Sequence, residues 1–268
     1  MADSVAATGT APPPVRRVPA ERIARRRIVV EVVLVLTVTL GMSGWRSLLS
    51  LIQSLLRTEP LAAQTATLNV SAAANSLVDL AFQLSYVVTD LAWGGLALYL
   101  LWLAGLRLRE IGLDAHRFGR DAIIGVLLAV AIGIPGLGFY FLARAIGVNL
   151  TVIPTALNEH AWTLPVLVLS AFGNAFVEEV IVVGYLITRL RDARFSLGIA
   201  VLASCLLRGS YHLYQGFGGF VGNVVLGFVF VVIWRRTGRL WPLIIAHTLI
   251  DVTAFVGYAL LAPHVSWL

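Results

Sequence analysis

Seven apolar stretches follow one another between residues 28 and 261, and most are long enough to cross a bilayer as a helix. A transmembrane helix needs about 20 predominantly apolar residues. Only 13% of the residues are charged and the mean hydropathy is +0.87, whereas soluble domains carry about 25% charged residues. The sequence therefore predicts an integral membrane protein with an all-α fold, a polytopic transmembrane helical bundle. The expected spans are residues 28–42, 77–106, 122–146, 162–190, 195–211, 217–234 and 241–261.

Arginines cluster on alternate sides of these spans. Each of the 20 basic residues is an arginine, and most lie in the N-terminal tail and in the loops after the second, fourth and sixth spans. Cytoplasmic segments carry the excess of basic residues, so we expect a cytoplasmic N-terminus and a C-terminus outside. A topology with eight spans is the alternative if residues 45–56 enter the membrane. The net charge of +6 thus reflects topology, and no nucleic-acid partner is expected.

The chain divides into three parts. Residues 1–27, rich in alanine, proline and then arginine, predict a disordered basic cytoplasmic tail. Residues 28–160 hold the N-terminal spans, and residues 161–262 carry the candidate chemistry. The single cysteine, Cys205, excludes intrachain disulfides and cysteine-based zinc sites. Nothing in the sequence indicates a eukaryotic compartment, so we expect the plasma membrane of a bacterial cell.

Two adjacent carboxylates, Glu178 and Glu179, lie in the middle of the fourth apolar stretch. An ionised carboxylate in hydrocarbon costs several kcal/mol, and ionisable residues inside spans usually face a wet functional cavity. Two further polar clusters interrupt apolar surroundings, one with Arg208 and His212 and one with His247 and Asp251. Each of these two pairs is spaced by four residues, which places its members on one face of a helix. We therefore expect three polar helix faces to meet.

These residues resemble the CAAX protease and bacteriocin-processing family (CPBP, or Abi) of intramembrane proteases. That family carries a Glu-Glu pair, then a histidine, then His-x-x-x-Asn/Asp, which correspond here to Glu178-Glu179, to His212, and to His247 with Asp251. The resemblance covers residues 165–255. It implies a catalytic core at residues 161–262 and an endopeptidase acting on a peptide or lipid-anchored protein at the bilayer. Prenylated CAAX proteins are the family's best-known substrates, and a bacterial peptide or membrane protein is the other expectation.

Two positions depart from the family pattern. Val183 stands where the family often has arginine, and Arg208 stands where it often has phenylalanine. We predict that Arg208, one turn before His212, supplies the missing guanidinium and neutralises Glu179. In the alternative, Arg208 extends its side chain to the outer membrane surface.

The residue types permit hydrolysis by an activated water, since no Gly-x-Ser-x-Gly motif or other convincing serine or cysteine nucleophile is present. The resemblance implies that Glu178 is the general base, that His212 positions the water or exchanges its proton, and that His247 donates to the oxyanion. We expect Asp251 to orient His247. The same residues could hold zinc, but no His-Glu-x-x-His motif fixes the ligands, and a metal-free glutamate mechanism is slightly favoured.

Other functions and one geometric conflict stay open at this point. Buried Glu, His and Asp also serve proton-coupled transporters, and a non-catalytic membrane protein that binds a partner is a further alternative. We expect Tyr211, Tyr214 and Trp241 to be interfacial aromatics. In straight, level helices, His212 would lie roughly 25 Å and His247 roughly 9 Å from the cytoplasmic ends. We therefore expect the fifth helix to start deeper in the bundle than the sequence suggests; a strong tilt or a break at Gly209 are the alternatives.

Overall fold

The computed structural model describes residues 20–264, and within them the chain forms a bundle of α-helices with one small sheet. Residues 1–19 of the expected tail lie outside this range, and the first helix begins at Ala20, inside the segment assigned to the tail. The helices are α1 (Ala20–Val38), α2 (Leu40–Leu55), α3 (Ser76–Leu103), α4 (Phe118–Ala145), α5 (Thr163–Glu178), α6 (Leu186–Asp192), α7 (Leu197–Ser210), α8 (Phe217–Thr237) and α9 (Trp241–Leu261).

Each expected span corresponds to a helix or to a pair of consecutive helices. Five helical segments in the described range are long and apolar enough to cross a membrane, and the pair α1 and α2, bent by 52°, makes a sixth if it is one span. Helix α7 has only 14 residues, or about 21 Å, and is the short member of the set. The all-α polytopic fold predicted from hydropathy is thus confirmed.

The core is centred on one long, buried segment, Thr163–Asp192, which contains α5 and α6. Helix α3 packs on one side of α5, and α9 packs between α5 and α4. Residues 180–183 are fully buried, which explains why this stretch is apolar on all sides in the sequence. The two glutamates therefore lie at the centre of the bundle.

Between α5 and α6, the residues Glu179–Tyr185 form a π-helix. Such wide turns are rare and often occur at functional sites. The Ser204 hydroxyl of α7 donates a hydrogen bond of 2.8 Å to the carbonyl of Val182, where both groups are buried. This bond attaches α7 directly to the π-helix.

Helix α7 ends at Ser210, and the chain then turns through a short 3-10 helix, Leu213–Gln215, before α8. The helix begins at Leu197, two residues after the start of the expected span, and it continues through Gly209, so the alternative of a break at Gly209 is wrong. A Cβ at Gly209 would lie 2.6 Å from the Val224 side chain and 2.9 Å from that of Phe220, so this glycine permits close contact with α8. Because α7 ends early, His212, which follows the helix, lies beside Tyr211 at the cavity wall.

Two loops predicted from the sequence contain strands β1 (Thr65–Val70) and β2 (Thr151–Ala156), which form a two-stranded parallel sheet. Thr65 pairs with Thr151 and Val70 with Ala156. The sheet joins the chain after α2 to the chain after α4. It therefore closes one end of the bundle above the space between the helices.

An ion-pair network fixes the opposite loops, before α4 and α9. The Arg239 guanidinium binds the carboxylate of Asp121 at 2.7 Å and also contacts the carboxylate of Asp114. Because the Arg239 side chain donates a hydrogen bond to it, the pKa of the partly buried Asp114 carboxyl lies below its ordinary value.

Candidate active site

Glu178 and Glu179 lie at the junction of α5 and the π-helix, where their side chains are almost completely buried. Glu178 is 3% exposed and Glu179 is fully buried. Two carboxylates in such a place need cationic or hydrogen-bonding partners, because an unpaired buried charge is strongly unfavourable. The neighbouring helices supply both.

Arg208 contacts both glutamates. Its Nη2 lies 2.7 Å from Oε1 of Glu179 and its Nη1 lies 3.4 Å from Oε2 of Glu178. The side chain is fully buried and stacks over Phe230, with the guanidinium carbon 5.4 Å from the ring centre. The predicted contact between Arg208 and Glu179 is therefore present, and the alternative in which Arg208 reaches the membrane surface is wrong.

Tyr211 is a site residue that the sequence analysis missed. Its hydroxyl donates a 2.7 Å hydrogen bond to Oε2 of Glu178, and the side chain is buried, so its assignment as an interfacial aromatic is wrong. The available signal was its spacing, because a residue three positions after Arg208 shares the same helix face. Oε2 of Glu178 thus faces two donors, whereas Oε1 accepts no hydrogen bond from the described residues.

His247 projects from α9 between two carboxylates. Its Nδ1 lies 2.8 Å from Oε1 of Glu179, and its Nε2 lies 3.6 Å from Oδ2 of Asp251. The second distance is longer than a hydrogen bond, so Glu179 is the closer partner of the ring. Asp251 instead accepts a 2.8 Å hydrogen bond from the side-chain amide of Asn174, which lies one turn before Glu178 on α5.

His212 lies in the turn after α7, beside the cluster. Its ring contacts Tyr211, with the ring centres 4.9 Å apart, and its Nδ1 is 3.4 Å from the amide nitrogen of Gln215. Its Nε2 is buried and has no hydrogen-bond partner in the described part of the chain. The structure therefore brings Glu178, Glu179, Arg208, His247 and Asp251 into direct or near contact, and places His212 at the edge of the same space.

A cavity of about 1320 Å³ opens beside this cluster. Its walls come from both strands and from α3, α4, α5, α8 and α9, and are mainly apolar. At its inner end lie Glu178, Tyr211, His212, His247 and Asp251, and Asp90 of α3 also lines it. A large apolar cavity with a few convergent polar groups is the usual form of a ligand or active site.

The residues do not suit a zinc ion well. Ligand atoms of Glu178, Glu179 and His247 lie within 4.8 Å of one another. Oε1 of Glu179 is already bonded to both Arg208 and His247, and only its buried Oε2 has no partner among the described residues. A divalent cation here would stand next to a buried guanidinium, and like charges at such a distance repel strongly. The donor set thus favours an arginine as the cation that accompanies the two glutamates.

Comparison with protein families agrees with this site. Residues 160–253 match the family model described as "Type II CAAX prenyl endopeptidase Rce1-like". Searches of curated proteins and of solved structures gave no significant match. The matched segment contains every predicted site residue, from Glu178 to Asp251. Residues 160–253 are therefore an Rce1-like segment, and the resemblance to the CPBP family of intramembrane proteases is confirmed.

Proposed function

We propose that the protein is an intramembrane endopeptidase in which Glu178 activates a water molecule to hydrolyse a peptide bond of a membrane-associated substrate. The observation that carries this proposal is the asymmetric environment of the Glu178 carboxylate. Tyr211 and Arg208 hold its Oε2, while the side chain lines the cavity. One oxygen is thus fixed, and the other is available to accept a proton from water.

Glu179 and Arg208 have a supporting role in this mechanism. The 2.7 Å ion pair between them is fully buried and engages Oε1 of Glu179. Oε2 of Glu179 has no hydrogen-bond partner among the described residues, but Glu179, unlike Glu178, does not line the cavity, so it is poorly placed to be the base. Arg208 reaches Glu178 only at 3.4 Å. We assign to Arg208 the task of keeping both carboxylates compatible with burial, and to Glu179 the task of holding His247.

His247 is suited to stabilise the oxyanion of the tetrahedral intermediate. A ring nitrogen that faces an ionised carboxylate must carry a proton, because the carboxylate can only accept. Glu179 faces Nδ1 and Asp251 faces Nε2, so the doubly protonated ring fits this setting. Because Asp251 is 3.6 Å away, the Nε2–H group can turn its hydrogen bond to a substrate oxygen.

His212 and Asp251 complete the assignment. The buried Nε2 of His212 has no partner among the described side chains, which leaves it able to orient the attacking water or to exchange its proton. Asp251 is fixed by Asn174 and limits the positions that the His247 ring can take. No step in this scheme requires a metal ion.

Hydrolysis of a membrane-anchored peptide library by the purified protein tests the proposal. Glu178→Gln should lower product formation by about 10²- to 10⁴-fold, the usual contribution of a general base, and His247→Ala should also lower it strongly. Glu59→Gln and His116→Ala are matched controls at exposed positions and should retain activity.

Equal product from wild type, Glu178→Gln and His247→Ala would refute the assignment. A chelator added to the same assay separates the two versions of the mechanism. Unchanged activity agrees with metal-free catalysis, whereas activity that is lost and then restored by zinc would refute that part of the proposal.

A further inference from the structure

Asp90 is a carboxylate of the cavity wall that the proposed mechanism does not use. It lies in the middle of α3, and its side chain is partly buried and lines the cavity. Over residues 20–264, the carboxylate forms no hydrogen bond and no ion pair. The charged group with which it interacts is Glu178, which has the same sign. A carboxylate that is partly removed from water needs a partner, and a cation in the cavity would supply one.

The other two carboxylates that line the cavity both have partners. Glu178 accepts a hydrogen bond of 2.7 Å from the hydroxyl of Tyr211, and Asp251 accepts one of 2.8 Å from the side-chain amide of Asn174. Asp90 is therefore the one carboxylate in the described part of the cavity wall that no side chain compensates. An ionisable residue in this position within a membrane-spanning helix usually serves function.

The distance from Asp90 to the proposed base follows from the packing of α3 on α5. A Cβ at Gly173 would lie 3.6 Å from Oδ2 of Asp90, so the carboxylate is level with Gly173. Gly173 precedes Glu178 by five residues in the same α-helix, or roughly 7.5 Å along the axis at 1.5 Å per residue. An extended peptide advances about 3.3 Å per residue. A substrate side chain that reaches Asp90 therefore belongs to a residue within about three positions of the scissile bond.

The cavity wall around Asp90 suits a long side chain with a cationic end. Val87 and Trp93, three residues before and after Asp90 on α3, also line the cavity and can pack against the aliphatic part of a lysine or arginine. The ring of Trp93 can in addition attract a cation. Ser170, on α5 and close to Gly173 in the sequence, lines the cavity too, and a hydroxyl oxygen can accept a hydrogen bond from an ammonium or guanidinium group.

We propose that Asp90 binds the basic side chain of a substrate residue close to the scissile bond, so that the protein prefers lysine or arginine at that position. The inference rests on the proposed peptidase function. Carboxylate and cation form a charge-assisted hydrogen bond, and burial of the substrate in the cavity removes water that would otherwise weaken it. Asp90 is thus a specificity-determining residue that contacts the substrate away from the reacting carbonyl.

Matched peptides test this inference. In a peptide that the protein cleaves in the library assay, each residue within three positions of the cleaved bond is replaced in turn by lysine or by norleucine, which has a similar aliphatic chain but no charge. The value of kcat/KM is measured for each peptide in neutral detergent. We expect wild type to prefer lysine over norleucine at one position by about 10- to 100-fold, the range for a hydrogen bond to a charged group. Acetyl-lysine at that position, which has the length but not the charge, should lose the preference.

Variants of Asp90 identify the residue that reads the charge. Asp90→Asn should bring the ratio of lysine to norleucine at that position close to 1, and Asp90→Glu should keep part of the preference. Glu159→Gln is the matched control, because Glu159 is an exposed carboxylate that does not line the cavity, and it should leave the ratio unchanged. The ratio is measured within one protein preparation, so it does not depend on how much of a variant is folded.

The possible failures differ from one another. If wild type cleaves the lysine and norleucine peptides equally at every position, or if Asp90→Asn keeps the preference, the inference is wrong while the peptidase function stands. If Asp90 is instead a proton donor in the reaction, Asp90→Asn should slow both peptides equally and leave the ratio unchanged, which also overturns the inference. Absence of any cleavage that depends on Glu178 would overturn the proposed function, and the inference with it.

Discussion

Exchanging Val183 and Arg208 should preserve a buried ion pair with Glu179. Arg208→Val alone should remove that pair, and Val183→Arg alone should overpack the site. Val183 lies four residues after Glu179 in the π-helix and is fully buried. It occupies the position where related proteases often carry arginine. The double variant V183R/R208V therefore moves the guanidinium from α7 to the π-helix while total composition and side-chain volume stay the same.

The burial of the pair sets the magnitude. Arg208 and Glu179 are both fully buried and 2.7 Å apart, and removing one partner of such a pair costs about 3–5 kcal/mol. Arg208→Val should therefore lower the free energy of unfolding by that amount. At about 2–4 °C per kcal/mol for chains of this size, this corresponds to roughly 6–20 °C in the unfolding midpoint. Val183→Arg alone should cost at least about 1–3 kcal/mol through overpacking.

The single cysteine provides the assay. Cys205 is buried on α7, three residues before Arg208, so a thiol-reactive dye reports unfolding of this part of the protein. Midpoints are compared for wild type, both single variants and the double variant in one detergent. We expect a favourable coupling of at least about 2 kcal/mol, within the range seen for residues in contact. V182R/R208V, with arginine at the preceding buried position, is the matched control and should show no rescue.

Additive destabilisation would refute the reasoning. If the double variant loses stability equal to the two single losses within about 0.5 kcal/mol, then residue 183 does not face the glutamates. A rescue of equal size in the control variant V182R/R208V would lead to the same conclusion.

Further predictions concern the site hydroxyl and the loop ion pair. Tyr211→Phe removes the hydrogen bond to Glu178 and should lower kcat about 10- to 100-fold with little change in KM. Tyr214→Phe is the control, because the Tyr214 hydroxyl contacts Gln215. Equal losses of kcat in both variants would argue against a role for Tyr211. Asp114→Asn should lower the unfolding midpoint at pH 7, since the pKa of Asp114 is depressed in the folded state and its contribution is fully present above the unfolded value. The difference in unfolding midpoint between Asp114→Asn and wild type should shrink as the pH falls below 3.8, the ordinary pKa of aspartate. A difference that stays constant down to the pH at which acid unfolds the protein would contradict this explanation.

The helices could be predicted from the sequence because each must satisfy its own backbone inside the membrane. Their apolar stretches are therefore continuous and easy to locate. The pairing of β1 with β2 could not be predicted, because it joins residue 65 to residue 151 and neither segment carries a strong alternating pattern. The early end of α7 near Ser210 was expected only as one way to bring His212 and His247 to the same depth in the membrane.

The candidate site was predictable where charge made polar residues conspicuous. Glu178, Glu179, Arg208 and His247 stand out because burying them without partners is costly, and the structure brings these four together. Tyr211 was missed because tyrosine is common at membrane interfaces, so its residue type carried no such signal. The partner of Asp251 depends on how α5 faces α9, which a single sequence does not encode locally.

The π-helix at Glu179–Tyr185 also changes how this chain must be compared with others. A wide turn holds one residue more than the same length of α-helix, so the angular phase of every later position in α6 is shifted by about one residue step. The packing contacts of Leu186–Asp192 should accordingly follow a helical repeat displaced by about one residue from that of Thr163–Glu178. An alignment that places this stretch on an uninterrupted helix will therefore misassign the faces of α6 by about one residue.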